Sequence, residues 1–213
     1  LSCAEICPAR ALRPQGKPME ISEIIDQVLR QELFYHHGEG GLTVSGGEPL
    51  SQGDWLIRLL KEAKKHRLHT AIETCGYASY EVLKEALDYL DVVFFDIKSM
   101  DDQKHKLYTG KSNQRILDNF KFLLQEAKTT KIIARTPVIP GFNDTIEELE
   151  EIQRFVAKWK DISYEMLPYH RFGKGKYEML GRTYQMGDVL LSEEIKTYIQ
   201  KQNKKWGKRQ CHS

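Results

Sequence analysis

The sequence predicts an α/β fold with parallel strands. Five short runs rich in β-branched or aromatic residues are candidate strands, and longer stretches with helical apolar spacing separate them. The candidate strands are "GLTVSG", "HTAIET", "VVFFDIKS", "IIARTPVIPG" and "ISYEMLPYH". Regular alternation of strand and helix is typical of parallel sheets with right-handed crossovers. The third run is nearly all apolar, as expected of a strand that is covered on both faces.

The stretches between the strands have apolar residues three and four positions apart, which predicts helices with one buried face. The apolar positions are Ile21, Ile24, Ile25, Val28 and Leu29, then Trp55, Ile57, Leu59, Leu60 and Ala63, then Val82, Leu83, Ala86 and Leu87, then Ile116, Phe120, Leu123 and Leu124, and finally Ile146, Leu149, Ile152, Phe155 and Val156. Ser22, Ser79, Asn143 and Ser192 are plausible caps or near-caps of helices. Composition does not decide whether the sheet is open and doubly wound or curls into a barrel.

The composition is that of a globular protein. The chain has 213 residues, of which 40% are hydrophobic and 29% are charged. With a net charge of only +2, bulk electrostatics argue neither for nor against nucleic acid, and we expect no such partner. No apolar run approaches the roughly 18 residues of a membrane span, so we expect no membrane partner. Four cysteines without regular spacing suit a reducing cytoplasm.

Polar and ionisable residues recur where the candidate strands end. In parallel α/β folds, functional groups collect at the carboxyl ends of the strands. These ends carry Ser45 to Pro49, Glu73 to Gly76, Asp96 to Lys98, Arg135 to Gly141, and Pro168 to His170. The mixture of carboxylates, a lysine and a histidine suits a zwitterionic ligand with amino and carboxylate groups. Neither of the common glycine-rich phosphate-binding motifs occurs, so the rim does not predict a nucleotide phosphate cradle.

The motifs at these strand ends resemble those of a known family. "SGGEP", "IETCGY", "DIK", "RTPVIPG" and "LPYH" follow one another over roughly residues 1 to 180. In this combination the chain resembles the radical S-adenosylmethionine enzymes, and among them the glycyl-radical-enzyme activases, the family of pyruvate formate-lyase activating enzyme. The resemblance implies a partial (β/α)6 barrel, similar to a TIM barrel, made of parallel strands. We expect this chain to carry five of the six strands, without the first strand and the cluster loop.

The resemblance also implies a reaction and its partners. A [4Fe–4S] cluster, held by three cysteines of a C-x-x-x-C-x-x-C loop, reductively cleaves S-adenosylmethionine, and the resulting 5′-deoxyadenosyl radical takes a hydrogen atom from a glycine of a partner enzyme. We therefore expect an oxidoreductase that activates a formate C-acetyltransferase or another glycyl radical enzyme. Flavodoxin or ferredoxin would donate the electron, and the enzyme would be a cytoplasmic monomer.

Five residues of the first two strand ends would contact the methionine part of S-adenosylmethionine by this resemblance. Gly46 and Gly47 would let the main chain approach the amino group, because glycine adopts backbone conformations that other residues avoid. Glu48 would receive the ammonium charge. Glu73 and Thr74 would lie near the carboxylate. The family often has Asp at position 73, where this chain has Glu.

The later strand ends would complete the pocket by the same resemblance. Asp96, Ile97 and Lys98 would line the S-adenosylmethionine site, and His170 would contact its nucleoside side. Arg135 would face the incoming glycine loop of the partner enzyme. Lys98 and Arg135 are accordingly the candidate catalytic residues.

The amino-terminal cysteines do not complete the cluster loop. Cys3 and Cys7 match its first half, but Arg10 stands where the third cysteine belongs. The run "CAEICPARAL" reads better as the end of a ferredoxin-type sequence, in which Cys3 and Cys7 would bind an auxiliary [4Fe–4S] cluster. This interpretation divides the chain into the end of a ferredoxin-like insert, residues 1–18, and a barrel with a carboxyl-terminal helix, residues 19–213. The alternative is that both thiols bind no metal.

Three functional hypotheses follow. The first is an activase whose longer parent chain makes the radical, while this polypeptide alone does not. The chain opens at Leu1 without Met, which is consistent with a fragment of something longer. The second is a radical enzyme that acts on a small molecule, which the motifs "RTPVIPG" and "LPYH" disfavour. The third is a truncated, non-catalytic barrel that serves as an interaction module.

Overall fold

The computed structural model describes residues 2–9, 11–12, 14, 16–37, 40–159 and 162–210. The chain divides into two compact units, Leu1–Gly41 and Leu42–Ser213. The first unit contains the helices α1 (Ser2–Glu5), α2 (Ile21–Leu29) and α3 (Glu32–His37). This division falls later than the predicted boundary after residue 18. That boundary rests on the ferredoxin-like pattern of the first 18 residues and stays a prediction.

Five parallel strands form one sheet in the second unit, so the predicted α/β class is confirmed. The strands are β1 (Leu42–Val44), β2 (Thr70–Thr74), β3 (Val92–Asp96), β4 (Lys131–Val138) and β5 (Ser163–Pro168). Their spatial order is β1-β2-β3-β4-β5, the same as their order in the chain. A doubly wound sheet reverses its strand order at a switch point, and this sheet does not. The sheet therefore has the strand order of a barrel wall.

Helices fill the connections between the strands. A 3-10 turn (Pro49–Gln52) and α4 (Asp54–Lys65) join β1 to β2, α5 (Tyr80–Leu87) joins β2 to β3, α6 (Asp102–Thr109) and α7 (Gln114–Glu126) join β3 to β4, and α8 (Ile146–Val156) joins β4 to β5. Helices α9 (Lys174–Met179) and α10 (Glu193–Gln210) follow β5. Within the described ranges, no helix has both the length and the apolar character needed to cross a membrane.

The predicted helix caps are partly correct. The Ser79 hydroxyl accepts a hydrogen bond from the Val82 N–H, and the Ser192 hydroxyl accepts one from the Ile195 N–H. Ser22 instead lies inside α2, which begins at Ile21. Asn143 is near the start of α8, but the cap itself is Thr145, whose side chain accepts from the Glu148 N–H. The spacing T-x-x-E of a capping box could have identified Thr145 from the sequence.

Alternation along the central strands separates the core from the site. Val93 and Phe95 of β3 are fully buried, and the Phe95 ring packs on Phe120 of α7 with ring centroids 5.1 Å apart. Successive side chains of a strand point to opposite faces of the sheet. Asp96 therefore lies on the face opposite the helices. Its register partner on β4 is Arg135, which follows the buried Ala134 and lies on the same face.

Candidate functional site

Arg135 is the centre of a charged network that crosses three neighbouring strands. Its guanidinium donates from Nη1 to Glu73 Oε1 at 3.0 Å and from Nε to Asp96 Oδ1 at 3.3 Å. The Lys98 ammonium lies 3.3 Å from Asp96 Oδ2. The guanidinium also covers the ring of Phe94, 4.8 Å from its centroid. These contacts join the carboxyl ends of β2 and β3 to Arg135, which lies in the middle of β4.

The Arg135 side chain is largely enclosed by these contacts, with an exposed fraction of 11%. The exposed fraction is 25% for the Lys98 side chain and 19% for the Asp96 side chain. Little guanidinium surface remains for an incoming glycine loop. Arg135 instead uses its guanidinium to bind the carboxylates of Glu73 and Asp96. The predicted contact with a partner's loop stays a prediction.

Glu73 is held from two sides. Its second oxygen, Oε2, accepts a hydrogen bond of 3.0 Å from the hydroxyl of Ser45, which follows β1. The pKa of Glu73 lies below its ordinary value, and the largest cause is the hydrogen bond from Arg135. The hydrogen bond from Ser45 lowers this pKa further, whereas partial burial acts in the opposite direction. Glu73 is therefore ionised at neutral pH. Sequence reasoning did not single out Ser45, because a serine beside two glycines is typical of any loop.

Glu48 fastens the loop after β1 to the end of β2. Its Oε1 accepts from the Thr74 hydroxyl at 2.6 Å and from the Leu50 N–H at 3.1 Å, and its Oε2 accepts from the Cys75 N–H at 2.8 Å. A carboxylate has about four acceptor positions, so three protein donors leave room for one more. The predicted contact between Glu48 and a ligand ammonium group stays a prediction. Thr74 is buried, and its hydrogen bond to Glu48 connects the loop after β1 to the loop after β2.

The main chain of the loop after β1 is open to a ligand. Gly46 has φ of 120°, a conformation that side-chain-bearing residues rarely adopt. A Cβ atom built on Gly46 or Gly47 would meet nothing within 4 Å. Both residues are exposed. A small ligand could therefore approach their peptide groups without displacing other parts of the protein.

Two further predicted residues lie at the same edge of the sheet. Ile97 contributes only its main chain, because its side chain is 1% exposed within the core. Its N–H donates to the Arg135 carbonyl at 2.8 Å, and its carbonyl accepts from the Thr136 hydroxyl at 2.9 Å. His170 is exposed two residues beyond β5, and its ring lies against that of Phe172 with centroids 4.4 Å apart.

The predicted ligands of an auxiliary cluster are Cys3 and Cys7. Cys3 and Cys7 lie in the first unit, on and just after α1. Within the described residues, no group of three or more His, Cys, Asp or Glu side chains could hold a metal ion. Burial is the main cause that raises the pKa of the Cys75 thiol to about 11, and metal binding requires the thiolate. The cluster role of Cys3 and Cys7 stays a prediction.

The sequence matches one protein-family model and several curated proteins. The model of the Radical SAM superfamily matches residues 5–156. The isethionate sulfite-lyase activating enzyme of Oleidesulfovibrio alaskensis is 45% identical over 197 residues, which cover 92% of this chain and 63% of that protein. The (2S)-3-sulfopropanediol sulfolyase activating enzyme of Bilophila wadsworthia is 43% identical over 178 residues, which cover 84% of this chain and 59% of that protein. The chain thus spans about three fifths of these relatives.

A solved structure shares the fold. A domain of a pyruvate-formate lyase-activating enzyme from Bacteroides vulgatus superposes with a TM-score of 0.62 at 26% sequence identity. The superposition covers 79% of this chain and 95% of that one. The similarity therefore extends over nearly all of the known domain.

Proposed function

This chain belongs to the radical SAM superfamily, and on that premise we propose that it forms the S-adenosylmethionine-binding barrel of an enzyme that activates a glycyl radical enzyme. The relatives that are 43–45% identical are activating enzymes by name, which supports this class. The observation that carries the proposal is the network around Arg135, which gathers three of the motif-bearing strand ends at one edge of the sheet.

The charges of the site fit S-adenosylmethionine. Glu48, Glu73 and Asp96 contribute three carboxylates, while Lys98 and Arg135 contribute two cations. The five groups together carry one net negative charge, and the ligand, with its sulfonium, ammonium and carboxylate groups, carries one net positive charge. Arg135 already holds two of the carboxylates, so Lys98 is the more accessible cation for the ligand's carboxylate or ribose oxygens. The exposed peptide groups of Gly46 and Gly47 would contact the amino group of S-adenosylmethionine.

The role of this chain's residues is to bind and orient. In the reaction that the family implies, a [4Fe–4S] cluster supplies the electron for cleavage of S-adenosylmethionine. Within the described ranges no group of three or more His, Cys, Asp or Glu side chains could hold a metal ion, so we assign the residues at the strand ends no electron-transfer step. Asp96 and Arg135 would set the position of Lys98, and Glu48 would keep the loop after β1 against β2. A cytoplasmic setting is supported only by the cysteine pattern of the sequence.

Replacing Asp96 with alanine tests the proposed binding site. The change removes one partner each from Lys98 and Arg135, so we expect S-adenosylmethionine to bind at least about tenfold more weakly in isothermal titration calorimetry. Asp91→Ala is the matched control, because Asp91, like Asp96, pairs with a lysine, here Lys64. Asp91 in addition accepts a hydrogen bond from the Thr70 N–H, and it lies just before β3, at the opposite edge of the sheet. Its affinity should stay within about twofold of the wild type.

Equal affinities of wild type and Asp96→Ala would refute the assignment of Asp96. A wild-type chain with no affinity for S-adenosylmethionine would instead favour a non-catalytic barrel that only docks a partner. Thermal unfolding of each variant separates a loss of binding from a loss of the fold.

We further propose that the partner is a glycyl radical enzyme of the sulfite-lyase kind. The relatives named for isethionate sulfite-lyase and sulfopropanediol sulfolyase support it at 43–45% identity. A formate C-acetyltransferase partner, the narrower prediction from the sequence, has the support of the solved domain at 26% identity. A protein that contains this chain together with a complete cluster loop, reconstituted with iron and sulfide and reduced anaerobically with S-adenosylmethionine and flavodoxin or ferredoxin, should produce a glycyl radical signal in electron paramagnetic resonance with isethionate sulfite-lyase. A stronger signal with pyruvate formate-lyase would reverse this preference.

A further inference from the structure

Asn143 occupies a buried position between two strand ends of the site. It follows β4 by five residues, and its exposed fraction is 0%. Its side-chain oxygen accepts from the Ile139 N–H at 2.7 Å, and its side-chain NH₂ donates to the carbonyls of Lys98 at 2.7 Å and Pro137 at 2.9 Å. An asparagine amide can make about four hydrogen bonds, so three of them are satisfied here by main-chain groups.

These bonds lie where the regular ladder between β3 and β4 ends. The Ile97 N–H still donates to the Arg135 carbonyl at 2.8 Å. A parallel ladder would next use the N–H of residue 137, but Pro137 has none. The Thr136 hydroxyl donates to the Ile97 carbonyl instead, at 2.9 Å. Beyond that point, the Asn143 amide holds the main chain of Lys98.

We propose that Asn143 is a positioning residue for S-adenosylmethionine binding and acts through Lys98; this rests on the proposed function. Lysine has a long, flexible side chain, so the place of its ammonium depends on how firmly its own main chain is held. The Lys98 ammonium lies beside Asp96, and the Lys98 carbonyl is fastened to Asn143. Without the amide, the Lys98 carbonyl loses its anchor and the ammonium no longer has one fixed position beside Asp96.

A double-mutant cycle tests this inference. We expect Asn143→Ala to weaken S-adenosylmethionine binding by about tenfold in calorimetry, and by less than about twofold when Lys98 has already been replaced by methionine. Asn203→Ala is the matched control, because Asn203 bonds the Met166 N–H and carbonyl, both at 2.9 Å, and joins α10 to β5. It should lower the melting temperature as Asn143→Ala does, yet leave the affinity unchanged.

The outcomes are distinct. The same fold-loss of affinity in the wild-type and Lys98→Met backgrounds would overturn the inference, as would an affinity of Asn143→Ala equal to that of Asn203→Ala. If Asn143→Ala does not fold, Asn143→Ser, which keeps a hydroxyl donor, replaces it in the same cycle with a smaller expected loss. A wild-type chain that does not bind S-adenosylmethionine overturns the proposed function and this inference with it.

Discussion

Gly76→Ala is expected to destabilise the protein by about 3 kcal/mol or more, because two independent costs combine. Gly76 has φ of 70°, a left-handed conformation that disfavours any side chain. A Cβ atom there would also lie 2.1 Å from Cζ and 2.4 Å from Cε2 of Phe95. Phe95 cannot move aside easily, because it is fully buried against Phe120. Either the turn or the core must shift.

Gly110→Ala is a control that separates the cost of the left-handed backbone conformation from the cost of the clash with Phe95. Gly110 ends α6 with φ of 75°, but a Cβ atom there would meet nothing within 4 Å. This control should lose only the conformational cost, about 1 kcal/mol in urea denaturation. Equal losses in the two variants would mean that the packing of Phe95 is not the reason for glycine at position 76.

The Gly76 turn also bears on the site. The Gly76 N–H donates to the Thr74 hydroxyl, which in turn donates to Glu48. A shift of this turn would loosen the loop after β1. Gly76→Ala should therefore weaken S-adenosylmethionine binding as well as stability, whereas Gly110→Ala should affect stability alone.

Arg135→Met is expected to cost about 2–4 kcal/mol of stability at neutral pH. The change leaves Glu73 and Asp96 side by side without the cation that they share. Lys61→Met is the control, because it removes the cation of an exposed pair with Glu85, whose side chains are 42% and 51% exposed. Exposed pairs contribute below about 1 kcal/mol. A loss no greater than that of Lys61→Met would contradict the structural role assigned to Arg135.

The loss caused by Arg135→Met should depend on pH in a defined direction. Because the folded-state pKa of Glu73 lies below its ordinary value of 4.5, its pairing stabilises the wild type above that pH and ceases to do so as the pH falls through the folded-state pKa. The difference in the free energy of unfolding between wild type and variant should therefore narrow below about pH 4.5. The double variant Arg135→Met with Glu73→Gln should recover part of the stability, since Asp96 keeps its pair with Lys98 and the second change removes the carboxylate that Arg135→Met leaves without a cation.

Local patterns in the chain were sufficient to place the strands, the helices α2, α4, α5, α7 and α8, and the edge of the sheet that carries the candidate site, but they did not predict α6 or α9. The strand Val92–Asp96, for example, was predicted from an apolar run that ends in an acidic residue. The motif-bearing residues follow such runs, and parallel strands end on one side. The family resemblance added the ligand, which apolar spacing alone does not identify.

Pairings between distant segments could be read only from the folded chain. Glu73 and Arg135 are 62 positions apart, and their contact depends on the register of three neighbouring strands. Asn143 lies close to a helix start in the sequence, yet its amide donates to the carbonyls of Lys98 and Pro137, where the regular ladder between β3 and β4 ends. The physical reason is the distance along the chain over which each signal extends. Apolar periodicity reflects residues that are close together in the sequence, whereas a hydrogen bond forms with whichever group the completed sheet brings within about 3 Å.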